Sequence, residues 1–240
     1  ISAVRTTLHV DRPPERGERR FLHGLTEGRV RVHGDPDVFG TAAVLHRQHH
    51  FGELIGDMGA DHVAIATGAT WRRDAVARLH LHPIPTDPAM PVYTPDDLME
   101  GKSPEGQTVT LYDDDHFYMG SVLAELLVAK GNRVHFVTPA VKVAEWTDNT
   151  LEQGTIMRRL LEIGVEVHPS KAPEAIGAKE VILGCTWTGR QTALPTDALV
   201  LVTSRTPNDQ LFQAARALDW QGAGIKSLKL IGDAAAPGPI

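Results

Sequence analysis

The chain has 240 residues, 42% of them hydrophobic and 22% charged, with a formal net charge of −6 at pH 7. This composition is typical of a globular domain, and the acidic balance disfavours nucleic acid as a partner, since nucleic-acid binding needs basic surface. No apolar run approaches the ~20 residues that cross a bilayer, and no signal peptide is recognisable. We therefore expect a cytoplasmic protein without a membrane partner.

Residues 1–58 carry few structural signals. His46 and His50 would share one face of a helix, at the spacing that zinc hydrolases use. Those enzymes place a glutamate directly after the first histidine, whereas this chain has Arg47 at that position. We therefore expect a solvated helical face here and predict no metal site.

The stretch 61–69 predicts a buried strand that ends in a Thr67–Gly68 turn. A short apolar strand that runs into glycine is typical of a parallel strand whose backbone approaches a ligand or another segment closely. The proline-rich stretch 81–95 then predicts a linker. After it, Thr94, Pro95 and Asp97 match the pattern of a capped helix start.

Residues 108–168 alternate strands and helices. Strands are predicted over 108–112, 133–138 and 165–168, with helices over 120–130 and 150–163 that stop at Gly131 and Gly164. This order predicts an α/β fold with a parallel sheet and right-handed crossovers. In the first helix the apolar spacing places Val122, Leu123, Leu126 and Leu127 on one face.

The last part of the chain predicts a hairpin, a strongly apolar strand, a helix and a final strand. These elements are expected at 180–185 with 190–194, at 198–203, at 207–218 and at 228–233. Cys185 ends the first of these strands, and we predict that it is a buried core residue without catalytic function. Because Cys185 is the lone cysteine, an internal disulfide and a cysteine-based zinc or iron–sulfur site within the chain are excluded.

The first strand-to-helix turn carries Asp113, Asp114 and Asp115 where nucleotide-binding units carry glycines. Carboxylates repel a pyrophosphate, and no acidic residue follows Val137 to hold a ribose hydroxyl. We therefore predict that NAD(P)H does not bind. The three aspartates are expected to cap the helix and form salt bridges. A divalent-metal site that includes His116 is the alternative, but three consecutive residues cannot all face one ion from a regular element.

The final strand delivers Gly232 and Asp233 at its carboxyl end. In flavoproteins with two dinucleotide-binding domains, an apolar strand that ends in Gly-Asp places the carboxylate on the flavin ribityl chain. We therefore predict that Thr67, Gly68, Gly232 and Asp233 bind a cofactor. The alternative for Asp233 is the N-cap of a helix that begins at Ala234.

Segments of residues 59–238 resemble, in collinear order, the C-terminal region of trimethylamine dehydrogenase and its relatives. These relatives are the dimethylamine and histamine dehydrogenases and N-methylproline demethylase-like proteins. The resembling segments are Gly59–Trp71, His82–Pro85, Tyr93–Gly101, Tyr112–Met119, Asn149–Gln153, Leu199–Arg205 and Leu230–Pro237.

The resemblance implies Rossmann-like parallel sheets of the glutathione-reductase two-dinucleotide-domain type, incomplete at the N-terminus. It implies that 59–92 and 222–240 are parts of an FAD/ADP-type domain and that 93–221 is a degenerate NAD-type domain. ADP or FAD would bind in this region. FMN and a 4Fe–4S cluster would lie only in a separate barrel domain of the parent enzyme, a homo-oligomer that passes electrons to an electron-transferring flavoprotein.

Two functions are therefore expected. The first is the nucleotide-fold region of an amine-oxidising, N-demethylating FMN/iron–sulfur dehydrogenase, in which these 240 residues alone are not catalytic. The alternative is a stand-alone, non-catalytic nucleotide-binding or interaction module derived from that fold.

Overall fold

A computed structural model describes residues 7–11, 29–34, 38–43, 62–219, 222 and 225–238. The chain divides into two compact units. Unit 1 comprises the described residues up to Thr70 together with Thr206–Gly238, and unit 2 comprises Trp71–Arg205. No helix in these described ranges is long and apolar enough to cross a membrane. The candidate metal ligands His46 and His50 lie outside the described residues.

The sheet of unit 1 contains five described strands in the order β15-β4-β1-β2-β3. Their ranges are Thr7–Asp11 (β1), Arg29–Gly34 (β2), Val38–Ala43 (β3), His62–Ala66 (β4) and Ser227–Leu230 (β15). Strand β4 pairs with β15 in parallel and with β1 in antiparallel orientation. Because β4 and β15 run in the same direction, their carboxyl ends lie at the same edge of the sheet.

Two short elements accompany this sheet. Helix α4 spans Gln210–Arg216, within the predicted range, and a 3₁₀ turn over Gly232–Ala234 follows β15. The chain passes between the units at β5 (Ala69–Trp71) and β14 (Arg205–Pro207), two strands that pair with each other.

Unit 2 is built on a five-stranded sheet in the order β6-β13-β7-β8-β9, and every pairing in it is parallel. The strands are Val92–Tyr93 (β6), Thr108–Asp113 (β7), Arg133–Val137 (β8), Glu166–His168 (β9) and Ala198–Val202 (β13). The predicted α/β fold with a parallel sheet is confirmed. Strand β13 is buried along its whole length because it lies inside the sheet and both faces of the sheet are covered.

Three α-helices lie in unit 2: α1 (Pro95–Met99), α2 (Tyr118–Ala129) and α3 (Gln153–Glu162). The predicted cap of α1 is confirmed, since the Asp97 carboxylate accepts a hydrogen bond from the Thr94 N–H at 2.9 Å. Gly131 follows α2 with φ +80°, the left-handed conformation of a helix-ending glycine.

Two helix predictions were wrong in detail. Val122 does not share the buried face of α2, because its side chain is 59% exposed while Leu123, Ala124 and Leu127 are buried. The helix predicted over 150–163 is α3, which begins three residues later at Gln153, because Thr150 instead ends a 3₁₀ helix over Glu145–Thr150. Leu151 separates them with φ +62°, a left-handed conformation that an α-helix cannot contain.

An antiparallel sheet completes unit 2, with strands β10 (Lys171–Ile176), β11 (Glu180–Cys185) and β12 (Gln191–Pro195). The predicted hairpin of β11 and β12 is confirmed, whereas β10 was not predicted. Pro173 lies inside β10, where the pairing register is irregular. The predicted burial of Cys185 was wrong, because this residue at the end of β11 is only partly buried.

The parallel sheet separates two apolar clusters. On one face Leu111, Phe136 and Val200 pack with residues of the helices, including Leu123 and Leu160. On the other face, residues of the same strands pack against the antiparallel sheet; they are Tyr112, Val137, Leu199 and Leu201, with Val181 and Leu183 from β11. Unit 2 therefore has three layers, and burial on both faces explains the continuous apolar runs of its strands.

Candidate functional site

In unit 1 the four predicted cofactor-binding residues lie at one edge of the sheet. Thr67 and Gly68 directly follow β4, and Gly232 and Asp233 follow β15 after a single intervening residue. That residue, Ile231, continues the pairing, since its N–H donates to the Ile65 carbonyl at 2.9 Å. Two sequence segments separated by more than 160 residues thus meet at the carboxyl ends of two parallel strands, the edge where open α/β sheets bind ligands.

Asn208 holds the Thr67–Gly68 turn in place. The Thr67 hydroxyl donates to the Asn208 carbonyl, and the Asn208 N–H donates to the Gly68 carbonyl at 2.9 Å. The Asn208 side-chain amide in turn donates to the Thr67 carbonyl at 3.3 Å. Thr67 is buried, so its hydroxyl fixes the shape of the turn. Asn208 was not predicted, because no local spacing signals a partner 141 residues away.

The two glycines leave space beside the backbone. Gly68 has φ +72° and Gly232 has φ +61°, both in the left-handed region that favours glycine. A Cβ built on either residue would meet no atom of the described residues within 4 Å. The edge therefore gives a ligand room to approach both turns.

Asp233 lies inside the 3₁₀ turn and is partly buried. One oxygen of its carboxylate accepts a hydrogen bond from the Gly238 N–H at 3.2 Å. The N-cap of this turn is Ile231, so the alternative in which Asp233 caps a helix beginning at Ala234 was wrong. The carboxylate instead stands at the same edge as the two glycines.

In unit 2 the acidic turn follows β7 at the carboxyl edge of the parallel sheet. Asp113, Asp114 and Asp115 are all buried. One Asp113 oxygen accepts hydrogen bonds from the N–H groups of Asp115 at 3.1 Å and His116 at 3.3 Å. The capping prediction was wrong, because the N-cap of α2 is Phe117 and no side chain of the described residues caps it.

Asp114 and His116 form the predicted salt bridge of this turn. The His116 Nε2 lies 3.0 Å from one Asp114 oxygen, and the other oxygen accepts a hydrogen bond from the Leu79 N–H at 2.9 Å. Burial alone would lower the pKa of His116, but the hydrogen bond to Asp114 and the charge of Asp113 outweigh it and the pKa is raised. His116 adopts φ +66°, which turns the chain from the aspartates into α2.

Burial raises the pKa of Asp113 to about 7. It also raises the pKa of Asp115, against the opposing charges of Arg205 and Arg78. Besides Asp114 Oδ1, which faces His116, four buried oxygens of this region have no hydrogen-bond partner among the described residues: Asp113 Oδ2, Asp115 Oδ2, Tyr112 Oη and Thr203 Oγ1. The edge therefore carries three buried carboxyl groups, and burial shifts two of them, Asp113 and Asp115, towards the neutral form.

Comparisons with known proteins agree with this architecture. Residues 93–187 match the family model of the OYE-like second alpha/beta domain. Dimethylamine dehydrogenase of Hyphomicrobium sp. (strain x) is 31% identical over 201 residues, which is 75% of this chain and 27% of that protein.

Two solved structures are similar in sequence and in fold. Histamine dehydrogenase from Rhizobium sp. 4-9 is 46% identical, with a TM-score of 0.76 over 88% of this chain and 31% of its own. The 6-hydroxypseudooxynicotine amine oxidase from Pseudomonas geniculata N1 is 34% identical, with a TM-score of 0.73 over 87% of this chain and 29% of its own. The chain thus spans less than a third of the length of each of these three relatives.

The parallel sheet of unit 2, covered on both faces, defines an α/β fold. Over three quarters or more of its length, the chain is similar to members of the trimethylamine dehydrogenase-like family.

Proposed function

We propose that the chain is the nucleotide-fold region of an amine-oxidising, N-demethylating dehydrogenase. The observation that carries this proposal is the 46% identity to histamine dehydrogenase over 88% of the chain. Because the chain spans less than a third of that relative, amine oxidation itself belongs to further residues. In the family that the chain resembles, those residues form a barrel with FMN and a 4Fe–4S cluster. The lone Cys185 agrees with this division, since such a cluster is held by four thiolates.

The proposed function of unit 1 is to hold ADP or FAD at the edge formed by Thr67, Gly68, Gly232 and Asp233. Two observations fit such a group: the open space beside both glycines and the carboxylate beside them. Asp233 would accept hydrogen bonds from hydroxyl groups of a ribose or ribityl chain, and the glycine backbone would lie against the ligand. FAD would supply an electron carrier, whereas ADP would have a structural role.

One feature of the family pattern does not fit. The glycine-rich fingerprint that binds a pyrophosphate at a helix N-terminus is missing ahead of Gly59 in this sequence. The fit of unit 1 to a dinucleotide is thus partial, with the hydroxyl-binding carboxylate present and the glycine-rich phosphate site absent from the sequence.

The acidic turn of unit 2 supports the further proposal that NAD(P)H does not bind there. A pyrophosphate at this edge would have to approach Asp114 and Asp115, and the turn carries no glycine before Gly120. An enzyme that passes its electrons to an electron-transferring flavoprotein needs no NAD(P)H at this place. We propose that the parent dehydrogenase is a homo-oligomer and that an electron-transferring flavoprotein is its partner. We propose that residues 59–92 and 222–240 are parts of the FAD/ADP-type domain and that 93–221 form the degenerate NAD-type domain.

The test is the size and the cofactor content of the native gene product. We expect a protein with about three times the 26.1 kDa mass of this chain, in line with the coverage of its relatives. It should contain FMN, iron and acid-labile sulfide, with ADP or FAD released on denaturation. A native product of the chain's own mass without flavin would contradict the proposal and favour the stand-alone module.

A further inference from the structure

A cluster of two histidines and a glutamate lies on one face of the parallel sheet of unit 2. His135 is on β8, and Glu166 and His168 are on the neighbouring edge strand β9. The register pairs His135 with Glu166 and Val137 with His168. Because side chains two residues apart along a strand share a face, all three point to the side of the antiparallel sheet. None of its three residues belongs to the acidic turn.

The ligand atoms of the cluster lie close together, within 4.8 Å of one another when each residue offers one atom. His135 Nδ1 lies 3.1 Å from His168 Nε2. Glu166 Oε2 lies 3.5 Å from His135 Nδ1, and the other carboxylate oxygen, Oε1, lies 3.4 Å from His168 Nε2. Zinc–nitrogen bonds of 2.0–2.1 Å at tetrahedral angles place neighbouring ligand atoms about 3.3–3.4 Å apart. A divalent ion therefore fits between the three side chains with small adjustments.

The protonation states also suit a metal. Burial lowers the pKa of both His135 and His168, so the imidazoles are neutral at pH 7 and keep a lone pair for an ion. Burial works to raise the pKa of Glu166, but the hydrogen bond and the charge of Arg133 help to lower it, so the carboxylate is ionised. The side chain of Glu166 is 49% exposed, which leaves an entry path from solvent.

Two positively charged side chains near the cluster disfavour the binding of a metal ion. The Arg133 guanidinium lies 3.2 Å from Glu166, and the charge of Lys171 acts on His168. The Arg133 side chain is 68% exposed and can swing into solvent without unfolding the strand. In the absence of a metal, a hydrogen bond between the two imidazoles accounts for their short distance.

We propose that His135, Glu166 and His168 form a binding site for a divalent transition-metal ion, with zinc as the ion that the ligand set suits best. Two histidines and one carboxylate are a known zinc ligand set that leaves a fourth position for water. Among the described residues this is the one three-ligand group whose atoms are close enough to hold an ion. The proposal differs from the expectation of no metal site and does not depend on the proposed amine-dehydrogenase function.

The test is a calorimetric titration of the full 240-residue chain, prepared without a histidine tag, with Zn²⁺ at pH 7.5. We expect one ion per chain. Glu166→Gln and His168→Gln should each weaken binding at least about tenfold, whereas Arg133→Gln should tighten it a few-fold because it removes the competing cation. With Co²⁺, the wild type should give the visible absorption of a tetrahedral site, and Glu166→Gln should lose it.

Matched controls separate this site from other histidines. His82→Gln changes an exposed histidine outside the cluster and should bind as the wild type does. The double variant His46→Gln/His50→Gln should also keep the affinity. If zinc fails to bind the wild type, or if binding survives Glu166→Gln and Arg133→Gln unchanged, the proposal is wrong. Loss of binding only in the His46/His50 variant would also overturn it. Glu166 and Arg133 are surface residues, so their variants should fold. They therefore test the proposal even if His168→Gln does not fold.

Discussion

A Cβ placed on Gly120 would stand 2.8 Å from the Cγ of Asp113. Gly120 lies in the first turn of α2, and the fully buried carboxyl of Asp113 is held by two N–H groups of the preceding turn. Because neither partner can move away freely, Gly120→Ala should destabilise the chain by about 1–3 kcal/mol. The midpoint of urea denaturation measures this change.

Gly154→Ala is the matched control for this substitution. Gly154 lies in the first turn of α3, and a Cβ built there meets no described atom within 4 Å. Alanine favours a helix over glycine by up to about 1 kcal/mol, so this variant should be slightly stabilised. Equal midpoints for the two variants would show that the contact between Gly120 and Asp113 is not tight.

The raised pKa of Asp113 predicts a pH-dependent stability. An unfolded aspartate titrates near pH 3.9, whereas burial raises the pKa of folded Asp113 to about 7. Between these values the folded state holds a proton that the unfolded state releases, so the free energy of unfolding falls as pH rises. The stability that the protonated Asp113 carboxyl contributes is fully present below pH ~4 and is lost as pH rises through ~7.

Asp113→Asn tests this linkage, because asparagine resembles the protonated carboxyl and does not titrate. Between pH 5 and pH 8 the wild type should lose stability relative to the variant, on the order of 2 kcal/mol. Urea denaturation across this range measures the difference. Asp148→Asn, at an exposed aspartate, should follow the wild-type curve. If the free energy of unfolding of Asp113→Asn changed with pH as that of the wild type does, Asp113 would be ionised in the folded protein throughout this range.

Cys185 should react with thiol reagents in the native protein. It is partly buried, and hydrogen bonding, first of all by Thr188, lowers the pKa of its thiol, which increases the thiolate fraction at pH 7. Thr188→Val should raise the pKa and slow the labelling a few-fold at pH 7. Thr186→Val is the control, since the Thr186 hydroxyl donates to the Ser170 carbonyl. The same slowing in both variants would show that Thr188 has no special effect.

The sequence was most informative where local rules decide the structure. The apolar strand over 198–202 and the glycine stop at Gly131 were predictable, because strand burial and helix ending depend on nearby residues. The sequence pattern also identified the Thr67–Gly68 turn after β4. That this turn meets Gly232 and Asp233 follows from the parallel pairing of two distant strands, which the resemblance to a known fold implied and spacing alone could not show.

The failures have a common physical cause, which is tertiary contact. The aspartates of the acidic turn suit a helix cap in sequence, yet the fold buries them against Leu79 and His116. Leu151 has no helix-breaking side chain, and its left-handed conformation has no local signal. The cluster of His135 with His168 depends on the pairing of two strands, so histidines 33 residues apart gave no ligand spacing to detect.

The central claim is that the edge around Asp233 holds an adenine nucleotide or flavin. The most direct measurement is calorimetric titration of ADP and FAD into the wild-type chain, Asp233→Ala and Asp219→Ala. Asp219 is the matched control, because it lies in the same unit and also accepts a hydrogen bond from a glycine N–H, that of Gly222 at 2.9 Å.

We predict that the wild type and Asp219→Ala bind ADP or FAD with equal affinity. Asp233→Ala should bind at least about tenfold more weakly, because a charged hydrogen bond to a ligand hydroxyl contributes about 1.5–3 kcal/mol. Both substitutions remove a hydrogen bond from a backbone N–H, and the melting temperature of each variant shows whether it is still folded when the ligand is titrated. Unchanged affinity in Asp233→Ala, or a wild type that binds neither ligand, would contradict the claim.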